Sequence, residues 1–264
     1  MVFMVSRLGF LAVGAVMAAA SPLSAAPVIP INTVALFSGT GSSVSGNALN
    51  IDDGTVKVQI TAWNTTSTNL STGTARARGT LAQWDFGLGA TYSGDGSHTV
   101  DNSGRYDYLL LQFDTAVALN TVTFTSGWNG YDSDATISRA SVDYAALGIT
   151  YKSVGTTFWG AAGSQLQANK TASNTANNNF VNGAVNTSRR QVNPSLVTSN
   201  VWLVAAKIGD NDTYKDAFKV KGFTYMDPHP GGVPEPSTWA MLILGMGAVG
   251  GAMRRRTRTR VAFA

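Results

Sequence analysis

The segment from His98 to Tyr108 (HTVDNSGRYDY) holds the densest set of side chains able to do chemistry. Asp101, Asn102 and Asp107 could supply oxygen ligands to Ca²⁺, which takes about six to eight oxygens, often from a loop beside a strand. The same letters also write a turn. Asp-Asn-Ser-Gly favours a tight reversal, and Asp side chains accept from nearby backbone N–H groups. Asp132 and Asp134 form a weaker acidic pair, on one side of the chain if it is extended. Asp210-Asn211-Asp212-Thr213-Tyr214 starts like a calcium loop. It has Lys215 where the sixth-position glycine belongs, and no bidentate glutamate follows, so the EF-hand reading fails. Calcium is the one cofactor these residues suggest.

Catalytic chemistry finds less support. There is no cysteine, which excludes disulfides, Cys-ligated zinc, iron–sulfur clusters and a thiol nucleophile. The two histidines, His98 and His229, lie far apart, and nothing resembles the Gly-x-Ser-x-Gly elbow of a serine hydrolase. Glu235 is the only glutamate, so a glycosidase pair would have to come from aspartates alone. Gly39-Thr40-Gly41 and Gly87-Leu88-Gly89 do not complete a dinucleotide fingerprint. No catalytic residue is assigned, and the chain does not read as an enzyme. Aromatic faces raise a glycan question. Trp128, between Gly127 and Asn129, and Trp159, before Gly160, read as turn residues that could stack on sugars. Trp84 and Trp202 sit inside strand patterns and read as core.

The elements that must position these residues are strands. Few Glu and Lys with many Gly, Thr, Asn and Asp disfavour a helical bundle and suit strands and turns. Val56, Val58 and Ile60 alternate with Lys57, Gln59 and Thr61. Leu81 to Phe86, and Val122 with Phe124, repeat that period of two. Tyr108 to Phe113 (YLLLQF) is continuously apolar and predicts a central strand. Val142 to Tyr151, Val201 to Ile208 and the run around Phe218, Val220 and Gly222 are further strands; Ser141 to Leu147 could instead be a short helical turn. No stretch shows a capped helical stripe. Seven or eight short strands predict an all-β domain, a β-sandwich or jelly-roll-like ectodomain over residues 27–227. Residues 161–190, rich in Ala, Asn, Ser and Thr, read as a polar loop or insertion, and 228–233 as a linker.

The two ends differ from the middle. Residues 1–26 carry Arg7, an apolar run from Leu8 to Ala20, and small residues at Ser24-Ala25-Ala26, the pattern of a cleaved secretory signal peptide. The C-terminal end runs from a proline-stiffened stretch, Val233 to Thr238, into the uncharged Trp239 to Met253, then into Arg254-Arg255-Arg256-Thr257-Arg258. That order predicts a short transmembrane helix with its arginines in the cytoplasm. The arginines also make the charge deceptive. Of 19 basic and 15 acidic residues, 13 and 14 fall within 27–233, so the net charge of +4 belongs to the tails. A nucleic-acid partner loses its electrostatic basis.

Pro234-Glu235-Pro236-Ser237-Thr238-Trp239-Ala240, followed by an apolar helix and an arginine cluster, resembles the PEP-CTERM sorting signal in its PEPxxWA variant. The resemblance covers about a tenth of the chain. It implies that Pro234, Glu235, Pro236, Trp239 and Ala240 form the sorting and processing motif, with Arg254, Arg255 and Arg256 as the membrane stop. It implies an exosortase as partner, a transient stay in the inner membrane, and final delivery to the cell surface or extracellular space, in company with extracellular polysaccharide. The physics agrees, because prolines keep 233–236 extended while the helix and arginines set its depth. The Asp-Asn-x-Gly-x-x-Asp run at 101–107, Trp128 with Asp132-Ser133-Asp134, and Asp216-Ala217-Phe218-Lys219 also resemble ectodomains of exosortase-dependent surface proteins, a likeness that carries no activity. The expectation is an exported surface or matrix protein. The alternative is a secreted carbohydrate-binding module or glycan-active hydrolase bearing the same signal.

Overall fold

The computed structural model describes residues 28–31, 42–43, 47–72, 76–84, 86–92, 96–126, 133–173, 186–209, 215–226, 241, 243–247 and 249–250. The signal peptide, the linker, Trp128, Asp132, the 210–214 loop, and the motif and arginine residues at 234–240 and 254–256 lie outside them. Among the described residues fourteen strands form in chain order: β1 (Val28–Ile31), β2 (Ser42–Ser43), β3 (Ala48–Asp52), β4 (Lys57–Thr65), β5 (Arg76–Arg78), β6 (Thr80–Trp84), β7 (Gly87–Thr91), β8 (Val100–Asp101), β9 (Tyr106–Ser126), β10 (Ala135–Ala140), β11 (Thr171–Ser173), β12 (Asn186–Gln191), β13 (Ser199–Ala206) and β14 (Ala217–Met226). One helix, α1 (Thr156–Ala168), stands between β10 and β11. Every pairing among the described strands is antiparallel.

The expected central strand is longer than its apolar letters. Tyr108–Phe113 and Val122–Phe124 belong to one 21-residue strand, β9. No glycine or proline interrupts Tyr106–Ser126, so nothing forces a break. Its first section, Tyr106 to Phe113, pairs with β4 on one side, and β13 pairs with it on the other. Its last section, Ala118 to Ser126, pairs with β14 and β12 instead. One strand thus serves two groups of partners.

Alternation then sorts side chains into two cores. Val58, Ile60, Leu109, Leu111, Phe113, Trp202 and Val204 join Val122, Phe124, Phe218, Val220 and Phe223 in the larger one. Trp63, Tyr108, Leu110, Val201, Leu203 and Ala205 point the other way and meet Phe158, Ala162 and Leu166 of α1. That second cover explains the continuously apolar YLLLQF: both faces of this section are buried.

The helix corrects the polar-loop reading of 161–190. Phe158, Ala162 and Leu166 recur every four residues and are buried. Glycines and alanines between them blur the stripe in the sequence. Gly163 is there for contact, since a Cβ would come 2.9 Å from the Arg76 guanidinium and 3.3 Å from the Leu70 carbonyl oxygen. Further on, 171–173 and 186–191 are strands rather than loop. Val142 to Tyr151 is not a strand; it holds a turn at 144–148, closed by Ile149 N–H to the Tyr144 carbonyl at 2.9 Å. Asp143 accepts from the Ala146 N–H at 3.0 Å and initiates that turn.

Candidate functional site

The segments 101–107 and 216–219 meet in space. β8 pairs with the start of β14, setting Asp101 opposite Ala217 and Val100 opposite Phe218. Asp101 is buried. Its Oδ1 accepts the Ser103 N–H at 2.9 Å, and its Oδ2 accepts the Thr99 hydroxyl at 3.0 Å and the Ser97 hydroxyl. This is the turn chemistry written in Asp-Asn-Ser-Gly. Gly104, at φ 82, completes the reversal in a conformation that side chains disfavour.

Asn102 clamps the loop to the strand. Its Nδ2 donates to Asp216 Oδ2 at 2.7 Å, while its Oδ1 accepts the Asp216 N–H at 3.0 Å. The Asn102 N–H also reaches the Asp216 carbonyl at 3.3 Å, and Lys215 Nζ donates to Ser103 Oγ at 3.0 Å. Asp216 is fully buried, and the bond from Asn102 Nδ2 gives its carboxyl group a partner there. Asp107 is buried one strand position beyond Tyr106, opposite Asn64, whose side-chain oxygen accepts from Arg105 at 3.0 Å. Among the described residues no three His, Asp or Glu side chains are grouped to hold a metal ion. The side-chain oxygens of Asp101 and Asn102 accept hydrogen bonds from the protein. Asp134, of the second acidic pair, is buried and bonded to Lys207 Nζ at 3.1 Å.

The aromatic candidates separate. Trp159 is not in a turn but in α1, half-buried, with its edge contacts to Trp63 at 5.1 Å and Phe158 at 5.0 Å. The Arg76 guanidinium lies 4.3 Å over its ring and occupies that face. Burial lowers the Arg76 pKa from its ordinary value, partly offset by Tyr108, whose own hydroxyl burial pushes up. Trp202 is core, as its strand pattern predicts. Trp84 is only half-buried and carries exposed His98 stacked at 4.4 Å. That stack exists because Gly89 lets the chain cross β7: a Cβ there would fall 1.9 Å from the His98 carbonyl oxygen.

Two features escaped the sequence. Asp53, beyond the β3 end, accepts from the Val56 and Thr55 N–H groups at 2.9 and 3.0 Å and from the Tyr225 hydroxyl. Burial raises its pKa, but the Tyr225 and backbone hydrogen bonds outweigh it and leave the carboxyl below its ordinary value. The other is a cavity of about 170 Å³ bordered by β10 and the 192–197 loop, with Arg139 in its wall. A lone arginine in a strand gives no signal in one sequence.

At the C-terminal end, residues 241, 243–247 and 249–250 are helical, with Met241, Ile243, Leu244, Met246 and Val249 exposed. No helix among the described residues is long and apolar enough to cross a membrane. Residues 232–256 match the family model of the PEP-CTERM protein-sorting motif. No curated protein and no solved structure matches the chain. The match agrees with the resemblance seen in Pro234-Glu235-Pro236 and Trp239-Ala240. The chain carries the PEP-CTERM sorting signal and is an exported protein recognised by exosortase.

Proposed function

We propose that this is a non-catalytic surface or extracellular-matrix protein, a β-sandwich ectodomain made as an inner-membrane precursor and delivered by exosortase into extracellular polysaccharide. The sandwich reading rests on β9, whose two sections have separate partners and share the larger core. The observation that carries the function is the sorting motif standing immediately beyond a closed domain. Met226, the last residue of β14, pairs with Val28, the first of β1. The chain therefore enters and leaves the ectodomain at one place, five residues short of the matched segment at 232. With the signal peptide cleaved ahead of Val28, a membrane helix after Thr238 would hold the domain by one pole. Processing near Pro234–Pro236 would then free it without disturbing a strand.

The test follows the protein through cell fractions. Wild-type chain should reach the extracellular matrix without its arginine-tipped end, and a Pro234-Glu235-Pro236 triple-alanine variant should stay with the inner membrane. If wild type keeps that end and fractionates with the variant, the delivery step is wrong. If mature protein is recovered equally from the matrix of a polysaccharide-deficient host, the polysaccharide association is wrong.

A further inference from the structure

The cavity bordered by Ile137, Arg139 and Trp202 is roofed by the loop that joins β12 to β13. Alternation along β10 puts Arg139 on the same face as Ile137, and Arg139 stands opposite Trp202 in the ladder. The backbone there is held from outside: Asn169 Nδ2 donates to the Arg139 carbonyl at 3.1 Å, and the Thr171 hydroxyl donates to the Ile137 carbonyl at 3.2 Å. Among the described residues Arg139, a half-buried residue, makes no side-chain hydrogen bond or ion pair. A cation placed partly out of water without a partner is unfavourable unless something else supplies the anion.

The roof is preorganised. Val192 N–H reaches the Asn120 carbonyl at 2.9 Å. Asn193 then closes the loop on itself, donating to the Val197 carbonyl at 2.9 Å and accepting the Val197 N–H at 3.1 Å. Leu196 is held at φ 50, a left-handed conformation that a branched apolar residue disfavours. The loop presents Pro194 and Val197 as an apolar wall and Ser195 as a hydroxyl at the exposed rim.

We infer that this cavity binds one carboxylate-bearing sugar residue, its carboxylate on the Arg139 guanidinium and its ring against Pro194 and Val197. A planar carboxylate suits the two-pronged guanidinium, and a sugar ring offers C–H faces to an apolar wall and hydroxyls to Ser195. The volume lies below the ~300–1,000 Å³ of sites for drug-sized ligands, which limits the occupant to a single small residue. The inference deepens the polysaccharide part of the preceding proposal and takes from it only the choice of sugar.

Full-length protein in detergent is titrated by calorimetry with glucuronate, glucose and acetate. Glucuronate should bind saturably in the millimolar range, and neutral glucose and acetate at least about tenfold more weakly. Arg139→Gln should weaken glucuronate at least about tenfold, with partial recovery in Arg139→Lys. Ser195→Trp, at an exposed rim position, should block the mouth while the fold melts as in wild type. Absence of saturable glucuronate binding to wild type overturns the site. So does glucuronate binding by Arg139→Gln and Ser195→Trp within twofold of wild type. Acetate binding as tightly as glucuronate overturns the sugar. A protein that binds glucuronate normally yet is not retained in the matrix overturns the matrix reading and leaves this site standing.

Discussion

Replacing Asn102 with alanine removes both side-chain bonds to Asp216 at once. One, Nδ2 to the carboxylate at 2.7 Å, is charge-assisted; the other, from the Asp216 N–H at 3.0 Å, joins neutral groups. Such bonds contribute about 1.5–3 and 0.5–1.5 kcal/mol net, and loss of a donor to a carboxylate with no exposed surface falls at the upper end. The expected destabilisation is about 4 kcal/mol, a drop of roughly 8–16 °C in melting midpoint for a domain near 200 residues. Asn102→Asp is the sharper probe. It keeps the shape but sets a second carboxylate against Asp216, so it should be worse than alanine at neutral pH and recover as acid protonates the pair. Thermal unfolding of full-length protein, followed by circular dichroism from pH 7 down to pH 4, reads both. An alanine variant that melts within about a degree of wild type would refute the clamp, as would an aspartate variant indifferent to pH. The same melts with chelator added examine calcium. A midpoint that falls on chelation in wild type but not in Asp101→Ala would place a cation in the loop.

Asp53 gives a pH dependence of known sign. Its folded pKa lies below the ordinary value, so its contribution is present above about pH 4 and is lost as pH falls through the depressed value. Denaturant midpoints between pH 6 and 3 should show this, and Tyr225→Phe, which deletes one bond to that carboxyl, should flatten the curve. Gly89→Ala should destabilise by about 2–3 kcal/mol because its Cβ meets the His98 carbonyl, whereas Gly96→Ala, with open space around it, should stay within about 0.5 kcal/mol. Equal melting of the two glycine variants would show that the crossing over β7 is loose.

Legibility followed the range of the interactions. β4 and β14 announce themselves through period-two apolar patterns and β13 through a continuous apolar run, and all three are buried at nearly every position. The apolar half of β9 reads as central because two layers cover it. α1 stays hidden: Gly160 and Gly163 interrupt the apolar letters, and its cap, Gly155, makes no side-chain bond that a sequence pattern could betray. The clamp joins residues 114 positions apart, and only the register of β8 on β14 brings them together. The turn at Asp101 was readable because its partners, Ser97, Thr99 and Ser103, are neighbours. The sorting signal was readable for the same reason: it is recognised as a contiguous string and needs no fold to assemble it.

The pairing of Val28 with Met226 has a mechanical corollary. β14 is laced to β1, β7, β8 and β9, so a pull on anything fastened after Met226 enters a strand paired with four others. Shear from moving fluid or a dragging polymer would be shared among several ladders and not spent peeling an edge. For a molecule destined for the outside of a cell, the handle is fixed to a strand that is held on several sides.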